Sequence, residues 1–120
     1  MPAYNAAKTL VQTYQEVMEQ GMVDRVIIVD DASRDETVAV AKNLPNTIVF
    51  SHARNLGYGG NQKSCYRLAL EEGADIIIMV HPDSQYTPKL IPAMVIGIES
   101  SKGRLAKRVP STVVVSHRSR

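Results

Sequence analysis

Apolar positions along the chain switch between two periods. From Ala6 to Gln20, the residues Leu10, Val11, Tyr14, Val17 and Met18 recur at helical spacing, and Gly21 supplies a stop. The next run, Arg25 to Val29, is continuous and β-branched, the pattern of a strand covered on both faces. Ser33-Arg34-Asp35-Glu36 has the serine-x-x-glutamate form of a capping box; Val38, Val40, Ala41 and Leu44 follow, and Pro45 ends this second helix. Thr47 to Phe50 reads as a short strand, Asn55 to Gly60 as a glycine-rich turn, and Gln62 to Glu72 as a helix closing at Gly73. Ile76 to Val80 is a further strand, and a helix follows from about Pro88 to Ser101.

Strands alternating with helices of this length predict an α/β fold with three layers, α/β/α, around a mainly parallel sheet. Both ends depart from that scheme. Met1-Pro2-Ala3-Tyr4-Asn5 has turn character and leads straight into a helix, so the first strand of a doubly wound sheet is expected to be missing. Residues 102–120 carry one β-like run, Thr112 to Val115, which is either a partial last strand or part of a basic tail. The expected division is therefore a ligand-binding body over residues 1–101 and this tail over 102–120.

Composition adds few constraints. A length of 120 residues with 44% hydrophobic content fits one domain with a real core. The single cysteine, Cys65, excludes an intramolecular disulfide and a cysteine-based zinc site, which suits a reducing compartment. The apolar runs fall short of the roughly 20 residues that span a bilayer, and the opening of the chain lacks the pattern of a signal peptide, so the expectation is a cytoplasmic protein. The net charge of +2 hides an asymmetry: all 12 acidic residues lie in 1–101, whereas 102–120 holds 6 of the 14 basic ones. Such a tail is a solvated stretch or a peripheral contact for an anionic membrane surface. No basic face with interleaved aromatics suggests nucleic acid.

Three segments carry candidate chemistry. Asp30 and Asp31 end the β-branched run, at the carboxyl edge where open α/β sheets bind ligands; Asp31 or Ser33 could cap the second helix, but two adjacent carboxylates call for compensation by a nucleobase imide, a ribose hydroxyl or a cation. His81-Pro82-Asp83-Ser84-Gln85 follows the second buried run; its alternate residues His81, Asp83 and Gln85 could converge on one hard cation such as Mg²⁺, which would take the rest of its shell from water and a diphosphate. Leu56-Gly57-Tyr58-Gly59-Gly60-Asn61-Gln62-Lys63 fails both the dinucleotide fingerprint and the P-loop spacing. It is either a plain turn opening a helix or a helix N-terminus that, with Arg54 and Lys63, helps to hold an anion.

Pro2-Ala3-Tyr4-Asn5, Val29-Asp30-Asp31-Ala32-Ser33-x-Asp35, Arg54-Asn55-x-Gly57-x-Gly59-Gly60 and His81-Pro82-Asp83-x-Gln85-Tyr86-x-Pro88 occur in that order. Together they closely resemble the donor half of family 2 glycosyltransferases of the GT-A fold, a Rossmann-like architecture that binds nucleotide-diphosphosugars. The resemblance covers roughly residues 1–100 and is nearest to the polyprenyl-phosphate, dolichol-phosphate type, sugar transferases. It implies that Pro2, Ala3 and Tyr4 line the nucleotide pocket, with Tyr4 near the base. Asp30 would hold the base edge or ribose, while Asp31 and Asp35 support that loop. Arg54, Gly57 and Lys63 would belong to the same donor nucleotide site. Asp83 matches the last aspartate of the family's DxD motif, the catalytic centre that binds Mg²⁺ or Mn²⁺, and Gln85 the glutamine after it. Implied partners are a UDP- or GDP-linked sugar and a lipid-phosphate or saccharide acceptor, met in the cytoplasm or at the inner face of the membrane.

The sequence also departs from the family pattern. His81 stands where the first aspartate of DxD is usual, and Ala6 replaces the glutamate that often follows Tyr-Asn. The acceptor-binding half is expected after Ser100, where only Val113-Val114-Val115-Ser116-His117-Arg118 echoes the family's next strand and its arginine. A phospho-acceptor receiver domain competes, since it too groups two acidic residues after one strand with an aspartate after another around Mg²⁺. Against it, no lysine follows Thr112 to Val115, and the Arg54 turn has no purpose there. A non-catalytic nucleotide-binding domain is the third reading.

Overall fold

The structure, a computed structural model, describes residues 1–82 and 87–100 together with the backbone of 115–117. In chain order the elements are β1 (Pro2–Ala3), α1 (Leu10–Glu19), β2 (Arg25–Asp30), α2 (Thr37–Lys42), β3 (Thr47–Ser51), α3 (Gly57–Glu71), β4 (Ile76–Ile78), a 3₁₀ turn at Pro88–Leu90, α4 (Ile91–Ser100) and β5 (Val115–His117). The sheet is built around β2. One edge of β2 pairs in parallel with all of β3, from Val26 opposite Thr47 to Asp30 opposite Ser51. The other edge is divided: β1 pairs in parallel at Val29 and Asp30, while β5 pairs antiparallel at Arg25 and Val26 and carries the sheet on to β4. Strands β1 to β4 thus run parallel, which bears out the mainly parallel α/β architecture.

Alternation along β2 sorts its side chains between two cores. Val26 and Ile28 pack with Leu10, Tyr14 and Val17 of α1, Ala41 of α2, and Ile91 and Val95 of α4. Ile27 and Val29 pack on the opposite face with Cys65 and Ala69 of α3 and with Met79. Helices therefore cover both faces, giving the three layers. Val26, Ile27, Ile28 and Val29 are all fully buried, and burial of side chains of this size stabilises the fold by about 1.5–3 kcal/mol each, which makes β2 the mechanical centre of the domain.

Several boundaries differ from expectation. A short first strand is present: Pro2–Ala3 joins β2, and the Met1 amino group donates to the Ile27 carbonyl at 2.6 Å. Burial holds that amine below its ordinary pKa. α1 starts at Leu10 because Ala6 to Thr9 forms a turn, in which the Thr9 and Leu10 amides both donate to the Ala6 carbonyl. The capping box does not form: α2 starts at Thr37, its N-cap Glu36 makes no side-chain cap bond, and the Ser33 hydroxyl is used elsewhere. α3 begins at Gly57, inside the expected turn, and presents Asn61, Cys65 and Ala69 as one buried stripe at i, i+4 and i+8. Of the expected β-like run Thr112 to Val115, the described part is Val115, which opens the strand Val115–His117. The rest of the basic tail lies outside the described residues. Among those described, no helix is long and apolar enough to cross a membrane.

Candidate functional site

The carboxyl ends of β1, β2 and β4 meet the first turn of α3 around a cavity of about 470 Å³. Pro2, Ala3 and Tyr4 supply one side, Asp31 the floor toward β2, Gly57 the helix end, and His81 the end of the β4 segment. All six were singled out from sequence. Asn5, Ala6, Thr9, Asn55, Tyr58, Asn61 and Pro82 complete the lining. Asp30, Asp35, Arg54 and Lys63 are not on this wall; Arg54 and Lys63 are exposed. Asp83 and Gln85 lie outside the described residues.

Adjacent positions at a strand end point to opposite faces, and this separates the two aspartates. Asp31, 3% exposed, turns toward α3. Its Oδ1 accepts the Leu56 amide at 2.8 Å and lies 2.8 Å from His52 Nδ1, and its Oδ2 accepts the Gly57 amide at 3.0 Å. The side chain of Asn55 closes the arrangement by donating to the Asp31 carbonyl and accepting from Gly57. The carboxylate thus occupies the N-terminus of α3, where the helix dipole favours negative charge. The amides of Leu56 and Gly57 therefore already have a partner from the chain itself, which favours the reading of this segment as a turn opening a helix. His52 extends the array, with Nε2 2.7 Å from Ser64 Oγ on α3.

Asp30 faces the α1 and α2 side. Its Oδ2 accepts the Ser33 amide at 3.1 Å, while Oδ1 is buried and has no hydrogen-bond partner among the described residues. A carboxylate oxygen in that state is costly, since buried polar groups are paired in nearly all native structures. The loop after β2 is stapled to the segment after β1. Ser33 Oγ accepts the Asn5 amide at 2.8 Å and Asn5 Oδ1 accepts the Arg34 amide at 2.9 Å. Thr37 Oγ1 accepts the Ala6 amide, and Asp35 accepts the Ala7 amide, the Thr37 amide and the Thr37 hydroxyl. The Thr37 hydroxyl above all holds Asp35 below its ordinary pKa. Asn5 and Ala32 both have positive φ, at 48° and 61°; asparagine tolerates this, whereas alanine there stores strain.

Tyr58 and His81 close the cavity between α3 and β4. Their rings stack at 5.1 Å between centroids and 27° between planes, and Tyr58 Oη lies 2.7 Å from His81 Nε2. Asn61, 3% exposed, fastens α3 to the sheet by donating to the Val29 carbonyl. Periodicity gave no reason to select Tyr58 or His52, because each becomes special only through a partner more than ten residues away in sequence. Asn61 did leave a trace, as a polar residue on the buried stripe of its helix. Among the described residues no group of three side chains suited to a metal ion occurs. His81 is the one expected ligand in view, and its Nε2 is engaged by Tyr58.

Residues 1–106 match the family model described as Glycosyl transferase family 2. An uncharacterized protein of Methanocaldococcus jannaschii is 33% identical over 95 residues, covering 79% of this chain and 38% of the relative. The UDP-N-acetylglucosamine--dolichyl-phosphate N-acetylglucosaminyltransferase of Methanococcus voltae is 30% identical over 104 residues, 73% of this chain and 41% of its own length. The undecaprenyl-phosphate mannosyltransferase of Micrococcus luteus is 26% identical over 121 residues, 97% of this chain and 50% of the relative. The chain thus spans half or less of the length of these curated relatives.

Proposed function

The chain belongs to glycosyl transferase family 2, and from that premise we propose that its cavity is the donor site of a glycosyltransferase, holding a nucleotide-diphosphosugar whose sugar passes to a polyprenyl phosphate or saccharide acceptor. The observation that carries this reading is the convergence of four separate motifs on one cavity at the carboxyl edge of the sheet, the place where ligands bind in open α/β folds. The volume suits it: small-molecule sites commonly measure about 300–1,000 Å³. Relatives named for transfer to dolichyl or undecaprenyl phosphate support the lipid-phosphate acceptor.

Each residue has a task in this proposal. Tyr4, 51% exposed on the cavity wall, offers a ring face to the base. Asp30 Oδ1 has no donor among the described residues, and in this reading an imide or ribose hydroxyl would complete it once the bound nucleotide reaches past the cavity wall, from which Asp30 is set back. Asp31 and Asp35 keep the surrounding loops in place. The anionic phosphate oxygen of the lipid-phosphate acceptor, which has no proton to lose, forms a bond to the anomeric carbon as the bond to the diphosphate breaks on the opposite face, so the product is inverted and the nucleoside diphosphate departs. Asp83, with His81 and Gln85, would hold Mg²⁺ or Mn²⁺, which when bound neutralises charge on the departing diphosphate. The described residues alone do not make that cation site, so no step here depends on it. With a lipid-phosphate acceptor, this reading has the reaction run in the cytoplasm at the inner face of a membrane.

Thermal stability in the presence of UDP- and GDP-sugars, with and without Mn²⁺, tests the proposal. A ligand at 100 times its Kd stabilises by about 2.7 kcal/mol, enough for a clear rise in Tm. Stabilisation that Asp83→Ala abolishes is the expected result. Indifference to every nucleotide sugar, combined with stabilisation by a phosphoryl-aspartate mimic and Mg²⁺, would overturn it in favour of a receiver-like domain.

A further inference from the structure

We propose that the outward face of α3 is a docking surface for an anionic lipid bilayer, the contact that brings the cavity to its lipid-phosphate acceptor. The purpose assigned to this contact rests on the donor-site reading above; the contact itself needs no nucleotide sugar.

A helix laid on a sheet ordinarily turns polar residues to water, as α1 does with Gln12, Gln15 and Glu19. The outward face of α3 is different. Its buried stripe is Asn61, Cys65 and Ala69, and on the opposite side Leu56, Lys63 and Leu70 recur at intervals of seven, with Tyr66 and Arg67 between the last two. Leu56 is 46% exposed, Tyr66 46% and Leu70 65%, and Lys63 and Arg67 are exposed beside them. These are the groups that settle at a membrane interface. Aliphatic side chains enter the acyl boundary, a phenol keeps its ring apolar and its tip wet, and cations lay their stems along apolar surface while their heads reach phosphate.

Charge decides the kind of partner. Residues 1–101 hold 8 basic and 12 acidic side chains, yet 53–70 hold Arg54, Lys63 and Arg67 and no acid. An anionic surface complements that segment. Shape agrees, because the helix from Leu56 to Leu70 forms a convex ridge about 21 Å long, which suits a plane better than a pocket. The face also begins at the site. The Leu56 and Gly57 amides are held by Asp31, and Asp31 and Gly57 line the cavity, so a bilayer against α3 lies along an element that walls the cavity. Lys63, which stands off the cavity wall, has its task at lipid phosphate.

The chain contains no tryptophan, so a single introduced one reports its own surroundings. In the full chain, Tyr66→Trp and Val11→Trp, the second on the opposite side of the sheet, are mixed with vesicles of phosphatidylcholine alone or with an equal share of phosphatidylserine. Brominated lipids in the same vesicles quench a tryptophan that enters the acyl boundary, and co-sedimentation measures partitioning. Expected are binding to the anionic vesicles and quenching in Tyr66→Trp but not in Val11→Trp. Arg67→Ala should lower partitioning onto anionic vesicles about fivefold and Leu70→Gln about tenfold, with the urea midpoint of both unchanged. A chain that binds nucleotide sugars but no vesicles overturns the proposal and leaves the donor site standing. Vesicle binding that Arg67→Ala and Leu70→Gln leave intact overturns it too, since the basic tail alone then carries the contact. Self-association abolished by Leu70→Gln, without vesicle binding, gives the face to a second copy and equally overturns it. Vesicle binding through α3 by a chain that takes up no nucleotide sugar supports the surface and refutes the donor-site reading.

Discussion

Asp31 and His52 form a buried carboxylate–imidazole pair, Oδ1 to Nδ1 at 2.8 Å, with side chains only 5% and 6% exposed. The same carboxylate carries the Leu56 and Gly57 amides, so removing it leaves the Leu56 amide and the His52 ring without that acceptor and the Gly57 amide with Asn55 Oδ1 alone. Asp31→Ala is expected to destabilise the fold by about 3 kcal/mol or more, against about 1–2 for His52→Ala, which leaves the two amides satisfied. Urea unfolding of both variants measures the difference; equal losses would mean that the helix cap contributes little.

Asp30 should behave in the opposite way. Its Oδ1 is buried with no partner among the described residues, and Asp30→Asn keeps an acceptor for the Ser33 amide while offering a donor in place of that oxygen. Stability is expected to stay level or rise, and nucleotide-sugar affinity to fall about tenfold, the pattern of a residue kept for binding at some cost in stability. Calorimetric titration and urea unfolding of the same variant check both halves.

The glycines of the α3 turn separate into three cases. Gly57 has φ +79°, so Gly57→Ala is strained whatever space surrounds it. A Cβ on Gly60 would stand 2.8 Å from Leu56 Cβ, an atom that cannot rotate away. Each of these two substitutions should cost about 1–2 kcal/mol. A Cβ on Gly59 meets nothing within 4 Å, and Gly59→Ala within the helix should stabilise by about 0.5–1 kcal/mol. Thermal unfolding of the three variants ranks them.

These glycines show how much of the site was legible beforehand. The Leu56 to Lys63 segment was recognisably special, and its fit to neither phosphate motif was informative. What it does instead depends on Asp31, 26 residues before Gly57, and no local pattern encodes such a reach. The buried run of β2 identified the sheet and its carboxyl edge correctly, because four consecutive β-branched residues suit little else. The Ser33 capping box failed for a tertiary reason: the Ser33 hydroxyl accepts the amide of Asn5, which is made available by the turn after β1. That strand pairs only two residues, Pro2 and Ala3, too short a segment to show a period of two.

Asp35 makes one site dependent on pH. The Thr37 hydroxyl, with the Thr37 and Ala7 amides, favours its ionised form in the fold and lowers its pKa below the ordinary carboxylate value, against a smaller opposing effect of burial. The contribution is therefore complete above about pH 4–5, where the unfolded side chain is ionised too, and is lost as pH falls through the lowered folded value. Wild type should exceed Asp35→Asn in Tm at pH 6, with the gap closing below about pH 4; thermal scans from pH 6 to pH 3 follow it. A gap independent of pH would mean that the charge of Asp35 is immaterial.

The most direct measurement of the central claim is amide NMR of the ¹⁵N-labelled chain during titration with UDP- and GDP-sugars in the presence of Mg²⁺. Saturable shifts concentrated at Ala3, Tyr4, Asn5, Asp31, Tyr58 and His81, on the wall of the cavity, are the predicted result. Saturable shifts centred elsewhere, such as the groove between Tyr14, Met18 and Pro45, or no saturable shift with any nucleotide sugar, would contradict it.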